Sequence, residues 1–203
     1  MAVKRSLDIA ASAALLVILL PALVVVGIAV RLDSPGPAIY RGRRVGLNGR
    51  PITVLKFRSM THGADDRRHV DYVTRLVREG GDPTSEMFKL DDDPRITRLG
   101  RWLRRTSIDE LPQLANVLLG TMSLVGPRPE VPQVLDAYEP WMFRRFACKP
   151  GMTGLWQVSG RASLSPRDML RLDVEYVDTW SLRNDLRILA LTPSRALSKG
   201  GTR

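Results

Sequence analysis

Residues 9 to 30 form one uninterrupted apolar stretch, IAASAALLVILLPALVVVGIAV. Its 22 residues carry no charged side chain, and as a helix they would be about 33 Å long. The hydrocarbon core of a bilayer is about 30 Å thick, so the stretch can cross it. A cleavable signal peptide is the first alternative, because Lys4 and Arg5 precede the stretch and residues 27 to 29 resemble a cleavage site. The stretch is longer than the about 7 to 15 residues of a signal-peptide core, which favours a membrane helix.

Pro21 removes a backbone donor in the middle of this stretch, so a bend is expected there. Positive charges flank the stretch on both sides, and they are Lys4, Arg5, Arg31, Arg41, Arg43 and Arg44. Positively charged flanks tend to stay in the cytoplasm, so the pattern places both ends on one side of the membrane. The charges and Pro21 alone leave two alternatives open: a plain span, and a re-entrant helix that enters one leaflet and returns.

The composition indicates one domain with phosphate-bearing partners. The chain has 203 residues and a net charge of +10, from 31 lysines and arginines against 21 aspartates and glutamates. This length suits a single domain with an appended segment. Most of the cations are arginines, whose planar guanidinium can bind phosphate in two places. The single cysteine, Cys148, excludes an internal disulfide bond, and His62 and His69 are interpreted as bystanders.

Downstream of the apolar stretch, the sequence predicts an α+β domain that is predominantly helical and has a small β-hairpin. Asn48-Gly49 lies between two partly apolar runs, which is a hairpin signal. Residues 65 to 79 have apolar side chains at helical spacing. Two more helices are expected, one over residues 165 to 176 and one that starts near Ser181.

Residues 104 to 120, RRTSIDELPQLANVLLG, place two acids behind two arginines in this basic chain. A helix start at Ser107 would form a capping box with Glu110, but Pro112 would then be the fifth helical residue and would cost a hydrogen bond. A start at Asp109 puts Pro112 in the first turn, where its missing N–H costs little. The second placement is preferred.

Asp109 then lies at the positive end of a helix, near Arg104 and Arg105, and both effects favour its ionised form. An ionised carboxylate among arginines can attack a phosphorus atom that the cations hold, and such aspartates form covalent acyl-phosphate intermediates. Because the carboxylate and the phosphate repel each other, a divalent cation is expected between them, and Mg²⁺ suits oxygen ligands of this kind. From the residues alone, Asp109 is either a helix cap or a nucleophile.

Three downstream segments carry further candidate residues. Residues 122 to 130, MSLVGPRPE, place a proline on each side of Arg128, which suits phosphate or nucleobase recognition but also an ordinary proline-rich turn. Residues 151 to 161, GMTGLWQVSGR, form a glycine-rich loop that ends in Arg161. Residues 141 to 146, WMFRRF, either rest on a membrane surface or pack their rings inward and expose both charges.

Taken together, seven stretches resemble the bacterial sugar transferase family, the polyprenyl-phosphate monophosphoglycosyl transferases. They are KRSLDIAAS, DSPGP, the hairpin ending in KFRSM, DDDPRITRLGRWLRRTSIDELPQL, MSLVGPRP, GMTGLWQVSGR and DVEYVDTWSLRNDLRIL. The stretches span nearly the whole chain in one order. The combination is specific, although no single stretch is.

The resemblance implies transfer of a sugar 1-phosphate from a UDP-sugar to polyprenyl (undecaprenyl) phosphate, with release of UMP. This reaction starts the assembly of a bacterial surface glycan such as an exopolysaccharide. By the same resemblance, Asp109 attacks the phosphate and carries the phosphosugar as a covalent aspartyl intermediate, and Glu110 assists with Mg²⁺ and the acceptor. Both carboxylates are therefore expected metal ligands.

The resemblance also implies which residues bind phosphate and nucleotide. Arg104 would hold phosphate, and Lys56 and Arg58 would line the site. Pro127-Arg128-Pro129 would help to seat the nucleotide, and Arg161 would contact the nucleotide or its phosphates.

For the N-terminus, the resemblance implies a re-entrant helix that is broken at a proline, here Pro21, with both ends in the cytosol. Leu20 stands where some relatives have serine, which puts the position of the bend in question. The expected division is a re-entrant membrane helix, residues 1–31, and a catalytic domain, residues 32–203, on the cytosolic face of the bacterial inner membrane. Larger relatives carry transmembrane helices ahead of this core, so the chain resembles a small-form member.

Two rival functions fit the composition. A membrane-anchored basic protein would bind phosphate or anionic lipid without catalysis, with Asp109 as a cap; nucleic acid is not an expected partner, because no nucleic-acid-binding motif is recognised. A hydrolase of nucleotide sugars would pass the phosphosugar to water, and it would turn over without a lipid acceptor.

Overall fold

The computed structural model describes residues 2–64, 67–79, 93–160 and 164–197. Within them the chain is mostly helical with two small two-stranded sheets, which confirms the expected fold class. The helices are α1 (Ala2–Asp33), α2 (Arg67–Glu79), α3 (Arg98–Thr106), α4 (Gln113–Leu119), α5 (Leu155–Ser159), α6 (Pro166–Asp178) and α7 (Leu182–Leu197). The strands are β1 (Ile39–Val45), β2 (Pro51–Phe57), β3 (Ser123–Val125) and β4 (Gly151–Thr153).

The long apolar N-terminal helix that the sequence predicts is α1. It is long and apolar enough to cross a membrane, and very little of its apolar stretch is buried within the protein. Its outer face exposes large aliphatic side chains, among them Val17, Ile18 and Val25. The helical backbone continues through Pro21, so the structure does not show the break that was expected there.

Polar contacts fix the N-terminal end of α1 to the rest of the protein. Lys4 Nζ donates to Asp185 Oδ2 of α7 at 2.6 Å and to the carbonyl of Val125 in β3 at 3.1 Å. The buried carboxylate of Asp8 accepts a hydrogen bond of 3.1 Å from the N–H of Leu124. The start of α1 is therefore attached to both β3 and α7.

Arg58, the residue after β2, holds the C-terminal end of α1. Its Nη2 donates to the carbonyls of Val30 at 3.1 Å and Ser34 at 2.6 Å, and its Nη1 donates to the carbonyl of Pro35. The last carbonyls of a helix have no partner within the helix, so a buried guanidinium is an effective cap for them. Both ends of α1 thus contact the same folded unit.

The predicted β-hairpin is confirmed. Strands β1 and β2 pair antiparallel from Ile39 opposite Phe57 to Val45 opposite Pro51. A short 3₁₀ turn joins them, and Asn48 and Gly49 both have positive φ there, at 54° and 76°. Asparagine and glycine tolerate this left-handed conformation at little cost, which explains why they mark the turn in the sequence.

The other predicted helices are also present. Helix α2 covers nearly all of the predicted residues 65–79. Helix α6 begins after Ser165, whose hydroxyl accepts the N–H of Asp168 at 3.1 Å, as expected for an N-cap. Helix α7 starts one residue after the predicted Ser181.

The parallel pair β3–β4 was not predicted. Ser123 is opposite Gly151 and Val125 is opposite Thr153, inside segments that had been interpreted as a proline-rich turn and a glycine-rich loop. The two backbones approach so closely that a Cβ on Gly151 would lie 2.1 Å from the N of Gly126. The glycines therefore allow strand contact here.

The central core joins these elements below the acidic pair. It consists of Val54, Leu114, Val117, Met122, Leu124, Val125, Val158, Tyr176 and Ile188. The buried Asn116 of α4 links this helix to β2, because its Oδ1 accepts the N–H of Leu55 at 2.9 Å and its Nδ2 donates to the carbonyl of Thr53 at 2.7 Å. Helix α4, which follows the acidic pair, is therefore bound to strand β2, which carries Lys56.

Candidate active site

Asp109 and Glu110 lie in a single 3₁₀ turn between α3 and α4. Ser107 ends α3 with a left-handed backbone (φ 58°), and α4 begins only after Pro112. The N–H of Ser107 bonds back to α3, and its side chain makes no cap bond. Asp109 lies one turn ahead of α4. Neither the preferred helix start at Asp109 nor the alternative at Ser107 is therefore correct. The reasoning on Pro112 was sound, because it precedes the first helical residue, where a missing N–H costs nothing.

Glu110 is neutralised by two cations. Its Oε1 accepts from Lys56 Nζ at 3.0 Å and from Arg128 Nη2 at 2.8 Å, and its Oε2 lies 3.4 Å from Arg128 Nη1. Asp109 is buried, with 8% of its surface exposed. Within the described parts of the chain, its carboxylate has no hydrogen bond or ion pair. The two adjacent acids are thus chemically distinct.

Burial raises the pKa of Asp109 to about 6, and the negative charge of Glu110 adds to the rise, while Lys56, Arg104 and Arg128 oppose it. The sequence had predicted that the arginines would favour the ionised form; the direction of that pKa shift was wrong, because burial outweighs them. Burial also acts to raise the pKa of Glu110, but Arg128 and Lys56 outweigh it and hold this pKa far below its usual value. Burial lowers the pKa of Lys56, against the charge of Glu110.

The structure brings some of the other predicted residues to this pair and not others. Arg104 donates from Nε to Ser59 Oγ at 2.8 Å, and its charge acts on Asp109. Arg58 instead caps α1 with its guanidinium, as described above. Arg161 lies outside the described residues.

The segment Pro127-Arg128-Pro129 follows β3 and is fixed by β4. The N–H of Gly126 donates to the carbonyl of Thr153 at 2.9 Å, and the N–H of Gly151 donates to the carbonyl of Pro127 at 2.8 Å. Arg128 reaches Glu110 from this support while 40% of its side chain stays exposed. Part of the Arg128 side chain is therefore open to solvent although its guanidinium is paired with Glu110.

The donor set fits a hard divalent cation that is shared with a substrate. Among the described residues, no group of three or more His, Cys, Asp or Glu side chains could hold a metal on its own. The Asp109 carboxylate is free of partners within these residues and could bind a cation together with phosphate oxygens, as Mg²⁺ often does. Glu110 would have to share its oxygens with Lys56 and Arg128.

An apolar groove of about 320 Å³ lies beside the acidic pair, between α1, β1, β2 and α4. It is lined by Leu16, Leu23, Val24, Ile39, Leu55, Phe57, Pro112 and Ala115. Leu55 and Phe57 lie on the face of β2 opposite to Lys56, whereas Pro112 is two residues after Glu110. The groove therefore extends from α1 to Pro112, close in sequence to the turn that carries the acidic pair.

Sequence reasoning missed a buried network behind Arg128. Arg145, 3% exposed, donates from Nη2 to the Arg128 carbonyl at 2.6 Å and to Asp173 Oδ2 at 2.5 Å. Its Nη1 donates to Tyr138 Oη at 2.6 Å and to Glu130 Oε2 at 3.1 Å. Both interpretations of residues 141 to 146 left this charge exposed, and both were wrong on that point, because four acceptors offset its burial.

The adjacent residues Arg144 and Arg145 differ in how far their side chains are exposed. Arg144 is 64% exposed and pairs with Asp178 at 2.8 Å on the surface. The two arginines are adjacent in a 3₁₀ helix, so one points inward and the other outward. No sequence signal indicates which of them is buried.

Comparisons with known proteins find relatives along nearly the whole chain. The sequence profile of the family described as "Bacterial sugar transferase" matches residues 1–199. The "UDP-galactose-lipid carrier transferase" of Erwinia amylovora is 44% identical over 198 residues, which cover 98% of this chain and 41% of that protein. The "Exopolysaccharide production protein ExoY" of Rhizobium meliloti is 38% identical, and the match covers 97% of this chain and 87% of that protein. The "UDP-glucose:undecaprenyl-phosphate glucose-1-phosphate transferase" of Caulobacter vibrioides is 42% identical, with 93% and 67% covered. The chain spans about two fifths of the length of several of its curated relatives.

Proposed function

We propose that this chain, which belongs to the bacterial sugar transferase family, transfers a sugar 1-phosphate from a UDP-sugar to undecaprenyl phosphate and releases UMP. The names of its relatives support galactose or glucose as the sugar and an exopolysaccharide or other surface glycan as the product. The observation that carries the proposal is the acidic pair, in which Asp109 is buried without a counter-charge bound to it while Glu110 is neutralised.

The reaction proceeds in two displacements. An oxygen of the Asp109 carboxylate attacks the phosphorus that bears the sugar, the bond from this phosphorus to the bridging oxygen breaks, and UMP leaves with the electron pair. An oxygen of undecaprenyl phosphate then attacks the same phosphorus, and the bond to Asp109 breaks to regenerate the carboxylate. A carboxylate without hydrogen-bond partners among the described residues suits the first step, because no bond has to be given up before attack.

The cations around Asp109 bind and orient the two phosphate-bearing substrates. Lys56 and Arg128 are held in place by Glu110, so their positions are fixed before the substrate arrives. Arg104 adds positive charge at Asp109, and the rigid segment from Pro127 to Pro129 presents Arg128 to the nucleotide. We assign Arg161 to the same nucleotide site on the strength of its family motif.

Mg²⁺, held by Asp109 and Glu110 together with substrate phosphate oxygens, would neutralise the charge of the diphosphate when bound. Glu110 has a second task in this proposal, because it keeps Lys56 and Arg128 at the site. Removal of the metal with a chelator should therefore abolish UMP release without changing the thermal melting point by more than about 2 °C. A chelated enzyme that still releases UMP would argue against the metal.

The contacts at the two ends of α1 support a re-entrant topology. A straight helix of 32 residues is about 48 Å long, and a helix that spans a core of about 30 Å has its ends on opposite sides. Here Lys4 and Val30 are both bound to the same folded unit. We therefore propose that residues 1–31 dip into one leaflet of the bacterial inner membrane, and that residues 32–203 lie on its cytosolic face.

The apolar groove beside the site would take the first isoprene units of the acceptor. Its lining is aliphatic and aromatic, and it joins the membrane helix to the residues that flank Lys56 and Glu110. An amphiphile with a phosphate head and an isoprenoid tail matches this arrangement. Ala115→Phe should raise the KM for undecaprenyl phosphate more than the KM for the UDP-sugar, and equal effects on both would count against this placement.

UMP release tests the function directly. Purified protein in detergent or nanodiscs is mixed with Mg²⁺, a panel of UDP-sugars and undecaprenyl phosphate, and wild type is compared with Asp109→Asn. Asp178→Asn is the matched control, since Asp178 is on the surface and pairs only with Arg144 among the described residues. Lipid-dependent UMP release that Asp109→Asn loses and Asp178→Asn keeps is the expected result. Release without lipid would indicate the hydrolase, and no release by wild type with any donor would indicate the non-catalytic binding protein.

A further inference from the structure

Hydrogen bonds hold the main chain on both sides of Arg128, and Arg145 bonds to the main chain of Arg128 itself. Val125 and Gly126 are bound to β4, and at the other end the carbonyl of Glu130 accepts the N–H of Val45 at 2.8 Å. Between these points, Arg145 is the hydrogen-bond partner of the Arg128 main chain within the described residues. Besides the bond from Gly151 to the adjacent Pro127 carbonyl, Arg145 therefore supplies the hydrogen bond that holds the Arg128 carbonyl itself.

Arg145 is itself rigidly anchored. Asp173 of α6, 1% exposed, pairs with it at 2.5 Å, and Tyr138 Oη accepts from it at 2.6 Å. Tyr138 in turn donates to Glu130 Oε2 at 3.1 Å, so the same cluster holds the segment two residues beyond Arg128. Burial raises the pKa of Asp173, and the positive charge of Arg145 opposes the rise.

We infer that Arg145 is a positioning residue for the transferase site: through the Arg128 carbonyl and Glu130 it holds the Arg128 guanidinium against Glu110 and the nucleotide. This inference rests on the proposed function. A displacement of about 1 Å at a substrate-binding group can reduce turnover about 100-fold, so a residue that never touches substrate can control the rate through Arg128.

Lysine cannot replace arginine in this role. The planar fork of Arg145 serves four acceptors in three segments of the chain, whereas an ammonium group has three donors at one point. Arg145→Lys is therefore expected to keep the charge next to Asp173 and to lose the bond to the Arg128 carbonyl. Its kcat/KM should fall about 10-fold, and that of Arg145→Met about 100-fold.

A double-mutant cycle separates positioning from a general effect on folding. Arg145→Met, Arg145→Lys and Arg128→Ala are made singly and combined, and kcat and KM for the UDP-sugar, the Kd for UMP and the thermal melting point are measured for each. Arg144→Met is the matched control, because it removes the neighbouring exposed arginine. The Kd for UMP needs no turnover, so it can be read even when Arg128→Ala is slow.

If Arg145 acts through Arg128, the loss of kcat/KM on substitution of Arg145 should be split between a lower kcat and a higher KM in the same proportion as for Arg128→Ala. In the Arg128→Ala background the added loss should be less than about 3-fold, and Arg144→Met should match wild type. Equal losses in both backgrounds would overturn the inference while leaving the transferase intact. An inactive wild type would instead refute the proposed function. Should Arg145→Met fail to fold, as can happen when one partner of a buried ion pair is removed, the cycle with Arg145→Lys decides.

Discussion

At the scale of single residues, the site depends on a difference between two adjacent acids. Glu110 shares its carboxylate with Lys56 and Arg128, and Asp109 keeps its own unpaired in a buried position. A buried ionisable group without a bound counter-charge costs stability, and such groups are concentrated at functional sites. The environment of each acid therefore defines its role more clearly than its identity does.

This difference predicts the pH dependence of the reaction. The pKa of Asp109 is raised to about 6, so the carboxylate is protonated below that pH and ionised above it, and only the ionised form can attack phosphorus. The value of kcat/KM should rise with pH around a midpoint near 6 and level off above about pH 7, and Asp178→Asn should show the same profile. A rise centred near pH 4, the usual range of an aspartate, would contradict this account. Higher Mg²⁺ should move the rise to lower pH, because metal and proton compete for the carboxylate.

The sequence named residues that the structure brings close together, but it did not predict their ionisation or all of their positions. Lys56, Glu110 and Arg128 came from motifs far apart in the chain, and the structure brings them together. The raised pKa of Asp109 could not be predicted, because burial depends on tertiary packing. The burial of Arg145 was hidden for the same reason.

At the scale of secondary-structure elements, two neighbouring cations at the end of the β1–β2 hairpin have different partners. Lys56 at the end of β2 faces Glu110, whereas Arg58 two residues later turns to the C-terminal carbonyls of α1. Side chains alternate between the two faces of a strand, so Lys56 and Arg58 would share a face if β2 continued. The sequence does not show that β2 ends at Phe57. Both cations therefore looked like site residues in the sequence.

Substitutions at these two cations should have opposite effects. Arg58→Met removes a buried cap and should lower the melting temperature by about 5 to 10 °C, with a smaller effect on the activity of the folded fraction. Lys56→Met should lower kcat/KM by about 10- to 100-fold with little change in melting temperature, because Arg128 still pairs with Glu110. Arg43→Met, on the exposed side of β1, is the control for both. Equal losses of activity with unchanged stability would place Arg58 at the site after all.

Sequence signals predicted the longer helices and strands, because a repeat in the spacing of apolar residues is visible only in an element of several residues. The hairpin and helices α2, α6 and α7 follow from turn residues, caps and apolar spacing. Strands β3 and β4 have three residues each, so they show no alternation, and their pairing joins segments 28 residues apart in register. The start of α4 was placed at Asp109 because Pro112 is tolerated in a first turn, and the sequence did not show that a separate 3₁₀ turn carries both acids.

At the scale of the whole molecule, both ends of the long apolar helix α1 are attached to the rest of the protein. The anchors are the Lys4–Asp185 ion pair at one end and the Arg58 cap at the other. The flanking charges had left a plain span and a re-entrant helix open. These contacts support the proposed re-entrant topology, although the helical backbone of α1 continues through Pro21. In the re-entrant topology proposed above, the acidic pair would be held at the depth where a lipid phosphate lies.

Cysteine labelling in sealed inverted vesicles tests this topology. Ala2→Cys and Arg50→Cys are both exposed positions, one at each side of the apolar helix, and Cys148→Ala provides the background. A membrane-impermeant thiol reagent should label both cysteines from the outer, cytosol-derived surface of these vesicles. Labelling of only one of them without detergent would indicate a spanning helix. The native Cys148 should react slowly, because burial raises its pKa to about 12.

The nucleophilic role of Asp109 is the central claim, and the mass of the intact enzyme tests it most directly. Wild type, Asp109→Asn and Asp178→Asn are incubated with Mg²⁺ and the active UDP-sugar without any lipid acceptor, and each intact protein is weighed by mass spectrometry. The account predicts that wild type and Asp178→Asn gain the mass of one phosphosugar, that this group maps to Asp109, and that undecaprenyl phosphate removes it. An enzyme that turns over without ever carrying the adduct, or an adduct that persists in Asp109→Asn, would contradict it.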